Sequence, residues 1–349
     1  AFSGVFQGNG HSIKGLKMRN IDKSGYDDAG LFCSLKDAIV ENLVIDSSCS
    51  FAGNHVGALS VSVDGSLTVK HTTNNAAING EWEVGGFIGN VLNMKQTTEV
   101  LFEDCINNGN VTGSSRAIGG LVGYIFNNTN MVMVITYSIN NGVINGRDES
   151  GGFVGECNDN LNTTVTISNS INNGIVSVKG AHAGGFVGVI LCNTNTTMTI
   201  LNSTANSYVT GSTSVGGLIA LIWANTNTNM IVSNFINNGN ATGSNFVGGF
   251  IGFVEDNKNM NTAVSSSTNN GNVTGSGGHA GGFVGYISSN PHFYSITHEI
   301  INSANKGSVS ATDGMACGFV CIDLETNFKV KTTVKNSINK GSVNAGTNG

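Results

Sequence analysis

The chain has 349 residues, among them 49 glycines and one proline, and 11% of its residues are charged, with a formal net charge of −6. This composition, with Val, Ile and Phe at regular intervals, excludes a disordered chain, which is typically rich in proline and charge. The unclustered Lys and Arg residues argue against a nucleic-acid partner. There is no apolar run near the roughly 20 residues of a membrane span, and no cofactor motif is evident.

The first 72 residues carry a less regular pattern, beginning with Phe2 and Gly4. The motifs Gly30-Leu31-Phe32 and Val56-Gly57-Ala58-Leu59 are spaced more closely than the later repeats. We predict that residues 1–72 form shorter turns of the same fold that residues 73–349 form regularly, in one continuous domain. Because the chain opens within patterned sequence, we expect it to be processed or excised from a precursor.

Two short anchors recur, mostly 32 to 34 residues apart. The first is Asn-Asn-Gly, as in 107–109, and the second is Gly-Gly-Phe-Val-Gly, as in 281–285. Strong or weak copies of the first begin at 74, 107, 140, 172, 205, 237, 269, 305 and 339, and copies of the second begin at 85, 119, 151, 184, 216, 248, 281 and 317. Self-similarity at a fixed period of this length indicates stacked repeats.

The residue pattern of each repeat unit predicts about three short strands. They are the segment after the double glycine, as in 282–287, an alternating Thr/Val/Ile segment, as in 164–167, and the Val-Thr after Asn-Asn-Gly. Period-2 patterning and β-branched residues are typical of strands. A single unit cannot bury its apolar face, so neighbouring units must stack. We therefore predict an all-β fold, a right-handed parallel β-helix (β-solenoid) with one turn per approximately 33 residues.

Stacking places equivalent side chains in ladders about 4.8 Å apart. We predict two interior ladders, one of Val/Ile and one of Phe/Leu. Their members are Ile78, Val111, Ile144, Val176, Val209, Ala241, Val273, Val309 and Val343, and positions 87, 121, 153, 186, 218, 250, 283 and 319. A recurring asparagine predicts a corner ladder of hydrogen-bonded amides, and a ligand-binding stripe is the alternative interpretation. These asparagines are at positions 74, 107, 140, 172, 237, 269, 305 and 339. The double glycines mark positions where a side chain would block packing.

Seven cysteines, at 33, 49, 105, 157, 192, 317 and 321, show no regular spacing. On an extended strand, Cys317 and Cys321 would lie about 13 Å apart, too far for a disulfide. We expect most of the seven to be small apolar fillers.

The opening motif and the recurring Gly-(Leu/Phe)-Val-Gly resemble the GLUG-type repeats of large surface and secreted proteins of bacteria and some protists. Some of these repeats are attached to immunoglobulin-A-cleaving peptidases. The resemblance covers nearly the whole chain and implies a stalk or adhesive array beside a separate active domain. The chain has no His-Glu-x-x-His motif, so a peptidase activity does not carry over.

A polar cluster precedes the double glycines on consecutive units. The spacing places Arg116 beside Asp148 and Glu149 beside His182, so two cross-turn ion pairs are the favoured interpretation. A general acid/base or metal site built from Asp148, Glu149 and His182 is the alternative. Glycoside hydrolysis requires two neighbouring carboxyl groups. The candidate pairs within one turn, Glu81 with Glu83 and Asp323 with Glu325, have no Arg, Lys or His in the aligned positions.

Seven Asn-x-Ser/Thr sequons predict possible N-glycosylation: Asn110, Asn127, Asn162, Asn195, Asn202, Asn240 and Asn272. Asn110, Asn240 and Asn272 occupy one position in the repeat. If these three carried sugar, they would form a stripe along one edge of the solenoid.

The favoured function is an extracellular or cell-surface structural and adhesive repeat protein, without enzymatic activity or cofactor. Neither end of the chain shows a polar cap, and open strand edges favour pairing with other chains. We therefore expect self-association through the solenoid ends into filaments, or binding to a surface or glycan ligand. The alternative is a carbohydrate-active β-helix enzyme, a polysaccharide lyase or hydrolase.

Overall fold

The computed structural model describes residues 1–19, 27–288, 295–322 and 329–346. The backbone forms a parallel β-solenoid in which each strand between the first and last described turns pairs with its counterparts one turn before and one turn after it. The predicted all-β parallel solenoid with a period of about 33 residues is confirmed. Its hand stays a prediction from the general preference for right-handed parallel crossovers.

The strands of the early turns are β1 (Phe2–Gln7), β2 (Ser12–Ile13), β3 (Lys17–Arg19), β4 (Phe32–Glu41), β5 (Val44–Ile45), β6 (Ser50–Gly57), β7 (Ser60–Val63), β8 (Leu67–Lys70), β9 (Thr73–Asn74), β10 (Ala77–Gly85), β11 (Ile88–Leu92) and β12 (Thr98–Glu103). The next turns contain β13 (Ile106–Asn107), β14 (Val111–Gly113), β15 (Ile118–Gly119), β16 (Val122–Phe126), β17 (Met131–Thr136), β18 (Ile139–Asn140), β19 (Ile144–Gly146), β20 (Ser150–Gly151), β21 (Val154–Asn158), β22 (Thr164–Ser168), β23 (Ile171–Asn172), β24 (Val176–Val178), β25 (His182–Gly184), β26 (Val187–Leu191) and β27 (Thr197–Leu201).

They are followed by β28 (Thr204–Ala205), β29 (Val209–Thr210), β30 (Ser214–Gly216), β31 (Ile219–Trp223), β32 (Asn229–Ser233), β33 (Ile236–Asn237), β34 (Ala241–Gly243), β35 (Phe246–Gly248), β36 (Ile251–Glu255), β37 (Met260–Ser265), β38 (Thr268–Asn269), β39 (Val273–Gly275), β40 (His279–Gly281) and β41 (Val284–Ser288). The last strands are β42 (Ser295–Ile301), β43 (Ala304–Asn305), β44 (Val309–Ala311), β45 (Ala316–Cys317), β46 (Val320–Ile322), β47 (Lys329–Lys335), β48 (Ile338–Asn339) and β49 (Val343–Ala345).

Three sheets run along the axis, and a regular turn contributes five strands to them. In the turn from β13 to β17, β13 belongs to sheet B, β14 and β15 belong to sheet C, and β16 and β17 belong to sheet A. A regular turn therefore has five short strands in three sheets, where the sequence predicts about three short strands. The predicted strands exist as β14, β16 and β17, but the corner asparagine lies in a further strand, β13, and the residues before the double glycine form another, β15.

The early turns stack on the later ones without a break. Strand β8 pairs with both β4 and β12, and β6 pairs with β10. These turns differ in that β4, β6 and β10 each run through a bend that separates two strands in the regular turns. The division at residue 72 stays a prediction.

The double glycines form the sharp bend between sheets C and A. A β-carbon at Gly86 would lie 2.0 Å from the carbonyl oxygen of Gly120 and 2.9 Å from Oδ1 of Asn107. At Gly109, a β-carbon would lie 1.8 Å from the carbonyl oxygen of Ala76. Both contacts are with the adjacent turn, so the prediction that a side chain would block packing there is confirmed.

The predicted asparagine ladder is hydrogen-bonded along the axis, and it is buried except at Asn339 in the last described turn. Asn107 Nδ2 donates to Asn140 Oδ1 over 2.8 Å, and Asn140 Nδ2 donates to Asn172 Oδ1 over 2.8 Å. The ladder is interrupted where Ala205 takes the asparagine position, and there Asn172 Nδ2 donates to Ser207 Oγ instead. The structural interpretation of the ladder is confirmed, because these amides are buried and paired with one another.

A second buried ladder lies at the bend within sheet A and was not predicted. Its members are Asn128, Asn160, Asn193, Asn225 and Asn257. Each Nδ2 donates to Oδ1 of the next member over 2.9 to 3.0 Å, and the same Oδ1 accepts the backbone N–H of the preceding member. These side-chain amides therefore supply hydrogen bonds to the backbone N–H groups of the bend, which are not part of the regular backbone pairing of the strands.

The two predicted apolar ladders form the core. The Val/Ile ladder is buried from Ile78 to Val309, and Val343 in the last described turn is exposed. The Phe/Leu ladder is buried from Phe87 to Phe283, with Phe319 partly buried against it. Neighbouring rings stack along the axis, as do Phe153 and Phe186, whose centroids are 4.8 Å apart.

The cysteine predictions are partly wrong. Cys317 and Cys321 form a disulfide with their Cα atoms 5.5 Å apart, because the chain bends between β45 and β46 and does not stay extended. Cys49, Cys105 and Cys157 are buried fillers as expected, whereas Cys33 and Cys192 are free and exposed. Burial raises the pKa of the Cys105 and Cys157 thiols to about 12, so both stay protonated.

We expect Asn140→Ala to lower the free energy of unfolding by about 2 to 3 kcal/mol, because buried amides of two adjacent turns lose a partner. The matched control is Asn141→Ala. Asn141 belongs to an exposed ladder, in which its Nδ2 donates to Asn108 Oδ1 over 2.8 Å, and we expect a loss below about 1 kcal/mol. Urea denaturation followed by circular dichroism measures both. Equal losses of unfolding free energy in the two variants would show that the buried ladder stabilises the fold no more than the exposed ladder does.

Candidate functional site

Two columns of side chains face each other on the outside of the bend between sheets C and A, and we call the space between them the corner cleft. Partners within one turn are seven residues apart. The first column contains Glu83, Ala117, Glu149, His182, Ser214, Phe246 and His279, and the second contains Asn90, Tyr124, Glu156, Val189, Leu221, Phe253 and Tyr286. Glu83 accepts a hydrogen bond from Asn90 Nδ2 over 2.7 Å, and the rings of Phe246 and Phe253 stack with centroids 4.2 Å apart.

The cleft is polar toward the N-terminal turns. Glu156 is only 1% exposed, and its Oε1 accepts a hydrogen bond from Asn158 Nδ2 over 3.0 Å. Its Oε2 lies 3.9 Å from Nη1 of Arg116, whose guanidinium also lies 5.5 Å from the centre of the Tyr124 ring. Burial raises the pKa of Glu156, and the charge of Arg116 opposes that rise.

Glu149 has the most perturbed carboxyl group in the cleft. Burial, with the negative charges of Glu156 and Asp148, raises its pKa to about 7. Its Oε2 is buried and makes no hydrogen bond. A carboxyl group in this state is partly protonated at neutral pH, as a general acid in a cleft would be.

The predicted cross-turn ion pairs are wrong. Arg116 reaches across the cleft to Glu156 and not to Asp148, because a buried carboxylate needs a charged partner more than an accessible one does. Asp148 Oδ1 instead accepts the backbone N–H of Ala181 over 2.9 Å, and its Oδ2 lies 3.7 Å from Nε of Arg147.

The structure also forms no ion pair between Glu149 and His182. His182 Nδ1 is buried without a hydrogen-bond partner, and burial lowers the pKa of its imidazole to about 4, so the ring is neutral at pH 7. The described residues contain no group of three or more His, Cys, Asp or Glu arranged to hold a metal ion. The alternative interpretation, a metal site built from Asp148, Glu149 and His182, is thus not formed by these residues.

Of the candidate carboxyl pairs weighed for glycoside hydrolysis, the first is separated, because Glu81 is exposed on the outer surface, whereas Glu83 lies in the cleft. The expectation that no histidine lies nearby is wrong, because His55 Nε2 is 3.7 Å from Glu83 Oε2. His55 lies two residues before Gly57, as Glu83 does before Gly85, so the two positions are equivalent on adjacent turns, although an irregularity in β10 pairs the His55 backbone with Trp82. Asp323 and Glu325 lie outside the described residues.

The cleft is aromatic toward the C-terminal turns, which sequence reasoning missed. Phe246, Phe253, His279 and Tyr286 stack on one another, and the His279 and Tyr286 ring centroids are 4.5 Å apart. Val189, Leu221 and Phe253 form a second apolar cluster outside the main core. The seven-residue offset between the two columns is the signal that could have revealed it.

The seven sequons lie in exposed or half-buried positions. Five of them use Nδ2, the atom that would carry sugar, as a hydrogen-bond donor to a side chain of the preceding turn: Asn127, Asn162, Asn195, Asn202 and Asn240. Asn110 and Asn272 use Oδ1 instead, which accepts the backbone N–H of Val143 and of Ser308. The proposed stripe therefore has two members whose Nδ2 is not used in a side-chain ladder.

The fold and its ladders define the class as a repeat protein built as a parallel β-solenoid. A stretch of 90 residues, 26% of the chain, is 37% identical to part of halomucin from Haloquadratum walsbyi (strain DSM 16790 / HBSQ001). That stretch amounts to 1% of the length of halomucin. No family model matches the chain, so the resemblance to GLUG-type repeats rests on the motifs. No solved structure matches it. The described residues contain no helix that is long and apolar enough to cross a membrane.

We expect Glu149→Gln to change stability only at higher pH. In the wild type, the folded-state pKa of about 7 lies above the ordinary 4.5, so stability is fully present below pH 4.5 and is lost as the pH rises to about 7. At pH 8 the variant should therefore be more stable by about 1 to 3 kcal/mol, and at pH 4 the two should be equal. Urea denaturation at both pH values measures this, with exposed Glu99→Gln as the control. A difference that persists at pH 4 would contradict the assignment.

If the protein is produced in a host with N-glycosylation, we expect glycan at Asn110 and Asn272 in preference to the other five sequons, whose Nδ2 atoms are used in hydrogen bonds. Site-resolved mass spectrometry of tryptic peptides measures occupancy. Bare asparagine at Asn110, Asn240 and Asn272 would end the hypothesis of a sugar stripe. Equal occupancy of all seven would show that the side-chain ladders give no protection.

Proposed function

We propose that this chain is a structural and adhesive module of an extracellular or cell-surface repeat protein. One observation carries the proposal: most of each repeat is used by ladders that hold adjacent turns together. Besides the backbone pairing of three sheets, two buried and several exposed asparagine ladders connect the turns. A stack of this kind resists bending, as a stalk must.

Two further findings support the extracellular location. The Cys317–Cys321 disulfide is of a kind that persists in oxidising compartments. The likeness to part of halomucin points the same way, since a mucin is by its name a secreted or surface protein.

Self-association through the solenoid ends is part of the proposal. In the last described turn Val334 is 44% exposed, whereas its partner one turn earlier, Ile300, is 1% exposed. Ile338 and Val343 are likewise exposed on this turn. Together with unpaired strand edges, these apolar side chains form a surface that another turn would cover. Because a contact between opposite ends does not close on itself, it would produce filaments.

We expect purified chain to form concentration-dependent filaments, and the monomer to be a short rod. The eleven strands of sheet B span ten intervals, or about 48 Å at 4.8 Å each. Val334→Lys should abolish filaments by burying a charge in the contact, whereas Ile231→Lys, on the side of the solenoid and 39% exposed, should not. Electron microscopy and small-angle X-ray scattering measure the outcome. Dispersed short rods at high concentration would refute self-association but not the rod.

A carbohydrate-active enzyme is the second candidate. It is favoured by the two carboxyl groups of Glu149 and Glu156, which share the cleft and both have a raised pKa. Glycosidases use two neighbouring carboxyl groups, one of which is kept protonated by a raised pKa. Our main proposal gives the chain no catalytic role, because Glu156 is buried beneath Arg116 and leaves little access for a substrate.

We therefore expect no release of reducing ends or unsaturated products from a panel of polysaccharides. Reducing-sugar and ultraviolet absorbance assays measure this. Activity that Glu149→Gln or Glu83→Gln abolishes, and that Glu99→Gln retains, would reverse the order of the two candidates.

A further inference from the structure

The Cys317–Cys321 disulfide takes the place of the glycine bend in one turn. The two cysteines occupy the first and last positions of the anchor that reads Gly-Gly-Phe-Val-Gly at 281–285, and the Cys317 backbone pairs with Gly281. Strand β45, which contains Cys317, belongs to sheet C, and β46, which contains Cys321, belongs to sheet A. The bridge is therefore a covalent link between two sheets across the bend that the double glycines form elsewhere.

The regular bend has no room for a cysteine at its first position. In each of the seven regular copies, a β-carbon on the first glycine would lie 1.8 to 2.1 Å from the carbonyl oxygen of the residue three positions later, on the far side of the same bend. At Gly281 that oxygen belongs to Val284 and is 1.9 Å away. Because this distance is far inside van der Waals contact, Cys317 requires a bend of another shape.

The bend at the disulfide is one residue shorter than the bend of the preceding turn. Val320 pairs with Val284. The next pair is Ile322 with Ile287, so one residue in β46 spans the distance that two residues span in β41. Tyr286, in the second column of the corner cleft, therefore has no counterpart in the next turn.

The shorter bend depends on the bridge. Cys321 is buried, and its Sγ lies 3.3 Å from the carbonyl oxygen of Ala280 in the preceding turn, so the bridge packs beneath the bend. Phe319 lies between the two cysteines, and its ring stacks on Phe283 with centroids 5.4 Å apart. Without the bond, the β-carbon of Cys317 still excludes the regular bend, and no covalent link holds the shorter one. The Phe319 ring then loses its fixed position on the core.

One half of the bridge is accessible to a reductant. Cys317 is half-buried, whereas Cys321 is fully buried. A small-molecule thiolate can attack Sγ of Cys317, so that the S–S bond breaks, a mixed disulfide forms, and Cys321 leaves as a thiolate that takes up a proton. A second thiol group then attacks the mixed disulfide, which releases Cys317 as a thiol and the reductant as its own disulfide. The chain gains two electrons and two protons, and the two thiol groups of the reductant lose them.

We propose that the Cys317–Cys321 disulfide is a redox-sensitive lock, which holds β45 and β46 on the preceding turn when oxidised and releases the bend when a small thiol reduces it. The rigidity of the solenoid at this turn then follows the thiol content of its surroundings. The lock acts within one turn of the stack, so it depends neither on adhesion nor on the formation of filaments.

Hydrogen–deuterium exchange measured by mass spectrometry on the full chain, with and without dithiothreitol, tests the lock. A Cys33→Ser, Cys192→Ser background removes the exposed free cysteines and so excludes disulfides between chains. We expect the backbone amides of β45 and β46 to exchange at least about tenfold faster after reduction, whereas those of β15 and β16, on either side of a regular bend, do not change. Unchanged exchange at β45 and β46 after complete reduction overturns the proposal, and so does an oxidised chain without a bond between Cys317 and Cys321.

Two variants attribute the effect to the bond. Cys317→Ser removes the bond and keeps a side chain of similar size, so we expect the fast exchange of the reduced chain without dithiothreitol and no further increase with it. Cys192→Ser alone, which removes a cysteine outside the bridge, should exchange as the oxidised wild type does. Slow exchange at β45 and β46 in Cys317→Ser would refute the lock, and the reduced wild type decides the matter if this variant does not fold. Electron microscopy of the same samples reports separately on filaments, whose absence would contradict self-association and leave the exchange result unchanged.

Discussion

The hydrogen bonds between buried asparagine side chains of successive turns are the constraint on which the rest of the structure depends. At the corner that contains Asn107 and Asn140, each amide bonds to the next one along the axis and to the backbone of its own turn. The neighbouring glycines have no side chain because the adjacent turn lies within 2 Å of the position a β-carbon would take. The buried asparagines and the glycines beside them therefore depend on each other, because a side chain at the glycine positions would collide with the amides or backbone of the adjacent turn.

This register determines where function can reside. Because the bend brings the ends of sheet C beside sheet A, side chains seven residues apart meet across the corner cleft. The core side of the bend is filled by Phe and Leu, whereas the outer side varies from turn to turn. The fold thus conserves its interior in every turn and leaves the cleft free to differ, with acidic residues at Glu83, Glu149 and Glu156 and aromatic residues at Phe246 and Phe253.

The repeating sequence pattern predicts the features that recur in every turn, and it does not predict the features that occur in one turn only. The apolar ladders and the corner asparagines recur at a fixed spacing, so their stacking follows from the period. The ladder that begins at Asn128 was missed because its members lie in what the pattern indicates is a loop. The pairing of Arg116 with Glu156 could not be predicted, since the aligned column suggests Asp148 and the choice depends on which carboxylate is buried. Cys317 and Cys321 were judged too far apart because the prediction assumed an extended chain.

The sequence by itself determined the solenoid, its period and the identity of its core, since each of these depends on periodic residues that must stack to become buried. Only the tertiary structure decided the number of strands per turn, the disulfide and the contacts of the corner cleft. The physical reason is that these features depend on bend angles and on which groups are buried, as when the burial of Glu156 attracts Arg116 across the cleft. Burial of one carboxylate does not alter the period of the repeats, but it changes which charges meet.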